Sequence, residues 1–316
     1  MKKLLHIQIL VLLPLVTFSQ TLEVAKSIPS EVSFTELTQT IGSNFTNPDS
    51  IAKCAYYWIA RNIEYDYQTS QDKALNIDTF WGRNSYEHVL LTRKAVCAGY
   101  SGLFEGILTE CGVDVKIING TSRQGRDFLG AYNLQEDHAW NAYLSGSRWN
   151  LVDVTWASNT KENDEILDFY FQTDPEIFIL SHFPSNSEWQ LLETPITYFG
   201  FLSSVYLNYR FFEIELGHLP PLYQENGNKI KLTFDYHDYW KPRVYKLTDT
   251  TFTEVKQTII SDTISQKTVL AFEANPQDIF KIEANWIIWD SVTVINYPEV
   301  GYLKIIEKEI TGAKNP

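Results

Sequence analysis

Residues 93–104 read RKAVCAGYSGLF, and they place Cys97 at the beginning of an apolar helical stretch. The apolar residues that follow recur at the spacing of one helix face; they are Leu103, Phe104, Ile107, Leu108 and Cys111. Gly112 is a good residue for ending a helix, so the pattern predicts a core helix from Cys97 to about Glu110. Two poor helix formers inside it indicate close packing against another element; they are Gly99 and Gly102.

Two alternating stretches further along the chain carry an imidazole and a carboxylate. Residues 137–143 read DHAWNAY and residues 148–156 read RWNLVDVTW, with His138 in the first and Asp153 in the second. A period of two over such lengths is typical of β-strands. A carboxylate inside an apolar strand needs a partner, which makes Asp153 unusual. The sequence therefore predicts a hairpin that brings these two side chains together.

The register of this hairpin depends on its turn. A two-residue turn at Ser145–Gly146 would set His138 directly opposite Asp153, with Cβ atoms about 4.5–5.5 Å apart. A four-residue turn at 145–148 would instead set Asp153 opposite Trp140 and leave it diagonal to His138. We expect the first register, and the second is the alternative.

A cysteine, a histidine and an aspartate in this context point to nucleophilic catalysis. Cys97 at a helix N-terminus would favour the thiolate, His138 would take its proton, and Asp153 would orient the imidazole. The amide of Cys97 could stabilise an oxyanion, and a second donor is needed. Trp81 is the first candidate, although a packed aromatic is the simpler interpretation. Other candidates near the site are Trp58, Tyr65 and Trp140.

These motifs resemble the transglutaminase-like superfamily. The matching stretches are 93–104, 137–141 and 149–156, and residues 58–66 resemble the family's lead-in helix. Three later stretches are more similar to the kyphoscoliosis-peptidase branch; they are Phe169–Phe171, His182–Pro184 and Trp189–Leu192. The resemblance covers roughly residues 50–200.

The resemblance implies a fold and a site. The fold is α+β, a papain-like core with helices packed on an antiparallel sheet. The site is a Cys-His-Asp triad carried by Cys97, His138 and Asp153, with no metal and no cofactor. The family includes crosslinking enzymes, proteases and amidases. We expect a cysteine-dependent acyl-transfer enzyme acting on peptide or glutamine-type amides, with hydrolysis favoured over crosslinking; a non-catalytic interaction module with the same fold is the alternative.

The chain is expected to contain four regions. Residues 1–19 have a charged start, an apolar run and small residues before Gln20, as in a secretory signal peptide. Residues 20–45 are expected to be a loosely structured lead-in, and residues 46–200 the thiol domain. Residues 201–316 are expected to form an immunoglobulin-like β-sandwich. This last prediction rests on seven β-rich runs, which are Lys229–Tyr236, Arg243–Leu247, Thr253–Ile260, Thr268–Phe272, Ile279–Ile288, Val292–Asn296 and Tyr302–Ile306.

Charge and cysteine content limit the partners and the compartment. The chain of 316 residues has a formal net charge of −13, which argues against nucleic acid and anionic membranes as partners. The signal pattern predicts an exported protein, periplasmic, cell-surface or secreted, without membrane insertion after cleavage and with a protein or peptide as substrate. Of the three cysteines, Cys54 and Cys111 could form a disulfide or stay as two buried thiols.

Overall fold

The computed structural model describes residues 13–72, 74–123, 136–159, 166–213, 222–236, 240–275, 278–288 and 293–304. The chain divides into two compact units. Unit 1 is Met1–Gly120 with Asp137–Asp174, and unit 2 is Thr121–Glu136 with Pro175–Pro316. Residues 1–12 of the predicted signal peptide, and the ends of the last two predicted strands at 292 and 305–306, lie outside the described residues. Within the described ranges, no helix has both the length and the apolar character needed to cross a membrane.

Unit 1 combines helices with a largely antiparallel sheet. Its helices are α1 (Leu13–Ser27), α2 (Phe34–Asn44), α3 (Pro48–Asn62), α4 (Tyr67–Gln71), α5 (Ile77–Arg83), α6 (Tyr86–Thr92), α7 (Cys97–Glu110) and α8 (Val154–Asn159). Its strands are β1 (Glu64–Tyr65), β2 (Lys94–Ala95), β3 (Val115–Ser122, which ends in unit 2), β4 (His138–Ser145), β5 (Arg148–Val152) and β6 (Phe171–Thr173). Strands β3, β4, β5 and β6 lie side by side in that order with antiparallel pairing, so the predicted α+β class is confirmed.

The segment before residue 46 is helical, and the prediction of a loosely structured lead-in is wrong. Helix α2 begins with a capping box in which the amide of Glu36 donates to Ser33 Oγ and the amide of Ser33 donates to the Glu36 carboxylate. Its buried residues include Leu37 and Ile41, one helical turn apart. The Ser-x-x-Glu spacing was readable in the sequence and gives the reason that this helix forms.

The N-cap of helix α3 lies two residues before Asp49 and three before Ser50, the caps expected from its apolar spacing. Asn47 is the N-cap, and its Oδ1 accepts from the amides of Asp49 at 2.8 Å and Ser50 at 3.3 Å. Pro48 occupies the first helical position, where its missing N–H and fixed φ cost nothing. The buried residues of α3 begin at Ile51, and the helix packs against α7.

The predicted helix after residue 97 is confirmed at both ends. Helix α7 runs from Cys97 to Glu110, and Gly112 follows with a φ of +76°, a conformation that glycine adopts without a steric penalty. Four residues of the predicted face are buried, together with Tyr100, whereas the fifth, Cys111, is half-buried. Helix α7 lies against strand β4, which brings the beginning of the helix close to the sheet.

The β4–β5 hairpin has the alternative register and not the expected one. Ser145 pairs with Arg148 and Asn141 pairs with Val152, so the two-residue loop is Gly146–Ser147. Gly146 has a φ of +61° at the first central position, the place where a type II′ hairpin turn takes glycine. The expected turn put glycine at the second position, which is the physical reason for its failure. Strand β5 ends at Val152, and Asp153 lies just beyond it.

Gly99 is required where α7 meets the strand that precedes it. A Cβ built at Gly99 would lie 2.7 Å from Asn84 Oδ1 and 2.8 Å from Ala95 Cβ, distances at which neighbours must move. Asn84 Oδ1 accepts the amide of Val96, directly before Cys97. We expect Gly99→Ala to destabilise the protein by about 1–3 kcal/mol, measured as a lower urea midpoint.

Gly102 gives a matched control within the same helix. Its added Cβ would meet nothing nearer than a backbone oxygen at 4.0 Å. Gly102→Ala should therefore be neutral or stabilise by up to about 1 kcal/mol, because alanine is the better helix former. Equal losses of stability in the two variants would contradict the close contact at Gly99.

Unit 2 is mostly β-structure. Its helices are α9 (Pro175–Phe178), α10 (Tyr198–Ser203) and α11 (Tyr209–Glu213). Its strands are β7 (His182–Pro184), β8 (Tyr206–Leu207), β9 (Leu222–Asn226), β10 (Lys229–Asp235), β11 (Trp240–Thr248), β12 (Thr251–Glu254), β13 (Gln257–Asp262), β14 (Lys267–Glu273), β15 (Ile279–Ile288) and β16 (Thr293–Lys304).

Two antiparallel sheets in unit 2 share one buried core. One has the order β13-β14-β10-β9 and the other β12-β11-β15-β16-β8. Leu232 and Leu270 from the first sheet and Val244 and Phe280 from the second belong to a single hydrophobic cluster. The predicted strand Thr253–Ile260 is wrong as one element, because the chain passes from one sheet to the other between β12 and β13. The last two predicted runs form the single strand β16.

Candidate active site

Cys97 is the first residue of α7, and its approach is fixed by a short parallel strand pair. Strand β1 pairs with β2, with Tyr65 opposite Ala95, and the amide of Asp66 donates to the Ala95 carbonyl at 2.8 Å. The N-cap Val96 makes no side-chain hydrogen bond to the helix. Its carbonyl accepts from the amides of Gly99 at 2.9 Å and Tyr100 at 3.1 Å. The half-buried thiol of Cys97 lies at this end of the helix, where the helix dipole favours negative charge.

His138 and Asp153 are in direct contact despite the shifted register. His138 Nε2 lies 2.8 Å from Asp153 Oδ2, and both side chains are buried. A carboxylate can only accept, so Nε2 carries a proton in this contact. The position of Asp153 beyond the end of β5 lets its side chain reach diagonally to the first residue of β4. The structure thus brings together the pair that the sequence singled out, by a different route.

Asp153 is held by two further hydrogen bonds. Its Oδ1 accepts from the amide of Trp156 at 3.0 Å, as a carboxylate does at the start of a helix, here α8. Its own amide donates to the carbonyl of Tyr170 at 3.0 Å. Both carboxylate oxygens are engaged, so the orientation of Asp153 toward the imidazole is fixed by the backbone on either side.

Cys97 completes the arrangement through the imidazole. Besides Asp153, Cys97 also acts on His138, since hydrogen bonding to Cys97 is one of the causes that raise the pKa of the imidazole. Since Nε2 faces the carboxylate, Nδ1 is the ring nitrogen available to the thiol. Burial lowers the pKa of His138, but the charge and hydrogen bond of Asp153, with the hydrogen bond and charge of Cys97, outweigh burial and raise it to about 10. The arrangement favours an imidazolium between two acidic groups.

Two tryptophans flank the imidazole. The His138 ring lies 6.0 Å from the ring of Trp140 and 5.6 Å from that of Trp156, with tilts of 34° and 32°. An aromatic face near a cation stabilises its charge. Trp140, a predicted neighbour of the site, is brought to it. Trp156 belongs to the third motif, but the sequence did not predict a role for it. Its position over the His138 ring depends on where β5 ends and α8 begins.

The other predicted oxyanion donors differ in position. Trp81 lies on α5 with 58% of its surface exposed. Within the part of the chain that the structure describes, it makes no ring contact or hydrogen bond with Cys97, His138 or Asp153. Trp58 is fully buried in α3 beneath the guanidinium of Arg93, 5.6 Å from its ring centre. Tyr65 lies in β1, opposite Ala95 of β2. Burial first and the charge of Cys97 second raise the pKa of Tyr65.

Two supporting contacts were missed because their partners are far apart in sequence. Asn141 Nδ2 donates to the Ser101 carbonyl at 3.1 Å and so ties β4 to α7. Lys53 Nζ lies 2.7 Å from Asp168 Oδ1. Asp168 is two residues before Tyr170, whose carbonyl accepts the amide of Asp153. The sequence does contain a sign of each contact, because Asn141 lies inside an apolar strand and Lys53 lies on an apolar helix face.

The other two cysteines are free thiols in this structure, not a disulfide. Burial, and to a lesser extent the charge of Cys111, raises the pKa of Cys54 to about 12. Burial also raises the pKa of Cys111. Both changes disfavour the thiolate, so Cys54 and Cys111 provide internal references for the reactivity of Cys97.

The comparison with protein families fits this geometry. The model of the transglutaminase-like superfamily matches residues 35–154, a range that includes Cys97, His138 and Asp153. The chain carries a transglutaminase-like domain. The resemblance inferred from the three motifs is thereby confirmed.

Three curated relatives each match between half and three fifths of the chain. Kyphoscoliosis peptidase of Mus musculus is 36% identical over 173 residues, 51% of this chain and 24% of that protein. The Homo sapiens protein of the same name is 35% identical with the same coverage. Lim and transglutaminase domain protein ltd-1 of Caenorhabditis elegans is 28% identical over 204 residues, 58% of this chain and 27% of that protein. These matches agree with the branch that the later motifs indicated, and the aligned region spans about a quarter of each relative.

Proposed function

We propose that the transglutaminase-like domain is a cysteine-dependent acyl-transfer enzyme with Cys97 as nucleophile, His138 as acid–base and Asp153 as the group that orients the imidazole. The observation that carries the proposal is the double engagement of His138. Its Nε2 lies 2.8 Å from Asp153 Oδ2, and hydrogen bonding to Cys97 and the charge of Cys97 also help to raise the pKa of the same ring. A buried imidazole between a thiol and a carboxylate is the arrangement that nucleophilic catalysis requires.

The proposed reaction begins from a thiolate–imidazolium pair, in which Nδ1 of His138 holds the proton of the Cys97 thiol. The Cys97 sulfur forms a bond to the carbonyl carbon of a peptide or glutamine-type amide, and the oxyanion is stabilised by the amide of Cys97 at the start of α7. The C–N bond then breaks, and the departing nitrogen takes the proton from His138. A thioester on Cys97 remains, and Asp153 has stabilised the imidazolium throughout.

The thioester is resolved by water or by an amine. His138 takes a proton from the incoming nucleophile, the C–S bond breaks, and the thiolate is restored. Water gives a peptidase or amidase, and an amine gives a crosslinking enzyme. We favour water, because two curated relatives that are 36% and 35% identical over 173 residues are named peptidases. Turnover of a peptide library with and without an added amine distinguishes the two.

Selective alkylation tests the nucleophile. At mildly acidic pH, iodoacetamide should modify Cys97 at least about tenfold faster than an ordinary thiol, because the imidazolium of His138 stabilises the thiolate. Mass spectrometry would measure the modification of all three cysteines in one sample. Cys54 and Cys111 should remain unmodified under the same conditions.

Cys97→Ser is the matched control, and it should abolish both the rapid modification and all turnover. A Cys97 that reacts no faster than a free thiol would contradict the proposal. It would favour the alternative, a non-catalytic interaction module that keeps the transglutaminase-like fold.

We also propose a fold for unit 2, export of the protein and a protein or peptide as its partner. The two sheets of unit 2, with their shared core, support an immunoglobulin-like β-sandwich. The apolar start supports export, and the net charge of −13 supports a protein or peptide as partner rather than nucleic acid or membrane. N-terminal sequencing of the mature protein checks cleavage before Gln20.

A further inference from the structure

Strand β13 (Gln257–Asp262) lies at the edge of the sheet β13-β14-β10-β9, so one of its sides has no neighbouring strand in the part of the chain that the structure describes. Ile259 is 38% exposed, Ile260 is 58% exposed, and Ile264, in the turn that follows, is 93% exposed. The free N–H and C=O groups of an edge strand pair readily with another strand, and proteins usually protect them with charge, proline or a covering segment. Strand β13 is six residues long and contains no proline. An apolar edge of this kind indicates an interaction surface.

The register of β13 shows what an added strand would cover. Ile259 pairs with Leu270, whose side chain is fully buried, so Ile259 lies on the core side of the sheet. Ile260 pairs with Val269 and lies on the opposite, outer side, because side chains alternate along a strand. A strand added to β13 would therefore extend the buried core over Ile259 and would shield Ile260 from water.

The beginning of β13 is basic. A groove of about 570 Å³ opens there, and its charged lining residues are Lys229, Lys231, Lys256 and Glu273. Three lysines against one glutamate leave an excess of two positive charges, although the protein as a whole has a net charge of −13. Glu254 does not change this excess, because it pairs with Arg243 at 3.2 Å. Lys256, directly before β13, is exposed and forms no ion pair with any residue that the structure describes.

The end of β13 is acidic. The carboxylate of Asp262 accepts the amide of Ile264 and the hydroxyl of Ser265, both at 2.8 Å. These hydrogen bonds, that of the hydroxyl first, lower the pKa of Asp262, so this exposed carboxylate is charged at neutral pH. Lys267, its partner in the strand register, forms its ion pair with Asp235 instead, at 2.8 Å. The two ends of β13 therefore carry opposite charges, neither of them paired within the described chain.

An antiparallel pairing of β13 with a second β13 allows few registers. Residues that face each other in an antiparallel pair either both point their backbone groups toward the partner strand or both point them away, so a two-fold pairing is centred on a single residue. A centre at Ile260 sets Lys256 opposite Ile264 of the second copy. A centre at Ile259 sets Lys256 directly opposite Asp262 of the second copy, and does so twice in the dimer. Opposite charges in facing positions stabilise a strand pair, so the charges select the centre at Ile259.

We propose that the protein forms a two-fold symmetric dimer through β13, in which the four-stranded sheets of two copies join into one continuous sheet of eight strands. Lys256 of each copy faces Asp262 of the other, and the two Ile259 side chains meet at the symmetry axis. A second copy fits this edge better than an unrelated strand, because the same short segment supplies the apolar centre and both members of the charge pair. The inference concerns unit 2 alone and holds whether or not Cys97 is a nucleophile.

Sedimentation velocity of the full chain tests the dimer. A single strand pair is a small interface, so we expect a weak dimer with a Kd of about 1–100 µM. The sedimentation coefficient should rise from the monomer value toward the dimer value between about 0.5 and 500 µM. Ile260→Lys should weaken dimerisation at least about tenfold, because it sets two lysines diagonally across the new strand pair, while an exposed position keeps the fold intact. A protein that stays monomeric at the highest concentration would overturn the inference.

Exchange of charges tests the register. Lys256→Glu sets two carboxylates opposite each other and Asp262→Lys sets two ammonium groups opposite each other, so each variant alone should dimerise at least about tenfold more weakly. An equimolar mixture of the two variants should dimerise within about threefold of the wild-type affinity, because opposite charges face each other again at both positions. Lys116→Glu, at an exposed lysine in unit 1, changes the net charge as Lys256→Glu does and should leave the dimer intact.

Two results would contradict this register. One is a dimer that tolerates Lys256→Glu as well as it tolerates Lys116→Glu. The other is a mixture of folded Lys256→Glu and Asp262→Lys proteins that recovers no dimer. Circular dichroism of each variant checks the fold, and if Asp262→Lys does not fold, the contrast between Lys256→Glu and Lys116→Glu decides the question alone.

Discussion

Asp153→Asn is expected to lower turnover by about 10³–10⁴-fold while the protein stays folded. The asparagine oxygen can still accept the amide of Trp156, which leaves its NH₂ group facing His138 Nε2. An NH₂ group donates, so Nε2 must become an acceptor and the ring proton moves to Nδ1. The nitrogen that faces Cys97 then carries a proton already and cannot accept the one from the thiol. Steady-state turnover of a peptide substrate measures the loss.

The same variant should change the pH dependence of stability. The folded pKa of His138 is about 10, above its unfolded value near 6.5. A raised folded pKa contributes stability that is fully present below pH ~6.5 and is lost as the pH rises through about 10. The free energy of unfolding of the wild type should therefore exceed that of Asp153→Asn most at pH 6, and the difference should shrink toward pH 10. Urea unfolding at several pH values measures this.

An exposed acid in the same unit provides the control. Asp114→Asn should change neither turnover nor the pH profile, because that side chain is exposed. A difference between wild type and Asp153→Asn that stays constant from pH 6 to pH 10 would show that His138 is not the imidazolium in the folded protein.

The local part of this site was readable from the sequence. Helix α7 has its predicted ends, because an apolar stripe and a terminating glycine are properties of neighbouring residues. His138 lies at the start of its strand, as expected. The family motifs then added what spacing alone could not, which is that the three side chains converge.

The features of the site that the sequence did not predict depend on turn chemistry and on contacts between residues far apart in the chain. The hairpin register follows from glycine at the first turn position, and the expected register gave that position to Ser145. The ring of Trp156 over His138 depends on where β5 stops, and hydrophobic periodicity does not fix that to one residue. Lys53 and Asp168 are 115 residues apart, so no local pattern pairs them.

Asp168→Ala is expected to destabilise the protein. Lys53→Met, which replaces its partner, is expected to leave the stability nearly unchanged. Lys53 is buried, with Nζ 2.7 Å from Asp168 Oδ1 and 4.1 Å from the ring centre of Phe171. Burial lowers the pKa of Lys53, and the charge of Asp168 opposes that change. Asp168→Ala leaves an ammonium among aromatic rings without this carboxylate, which should cost about 2–4 kcal/mol. Urea unfolding at neutral pH measures the loss.

Lys53→Met should change stability by less than about 1 kcal/mol, because methionine fills a similar volume and needs no counter-charge. The Asp168 carboxylate does not need the ammonium of Lys53, because its side chain is 60% exposed and the hydroxyl of Tyr57 still donates to it at 2.9 Å. Combining the substitutions should restore most of what Asp168→Ala removes, because the ammonium is gone. Equal losses in the two single variants would mean that the pair acts through its geometry and not through the desolvated charge. Since Tyr170, two residues after Asp168, holds the amide of Asp153, that outcome would make the pair a mechanical support of the active site.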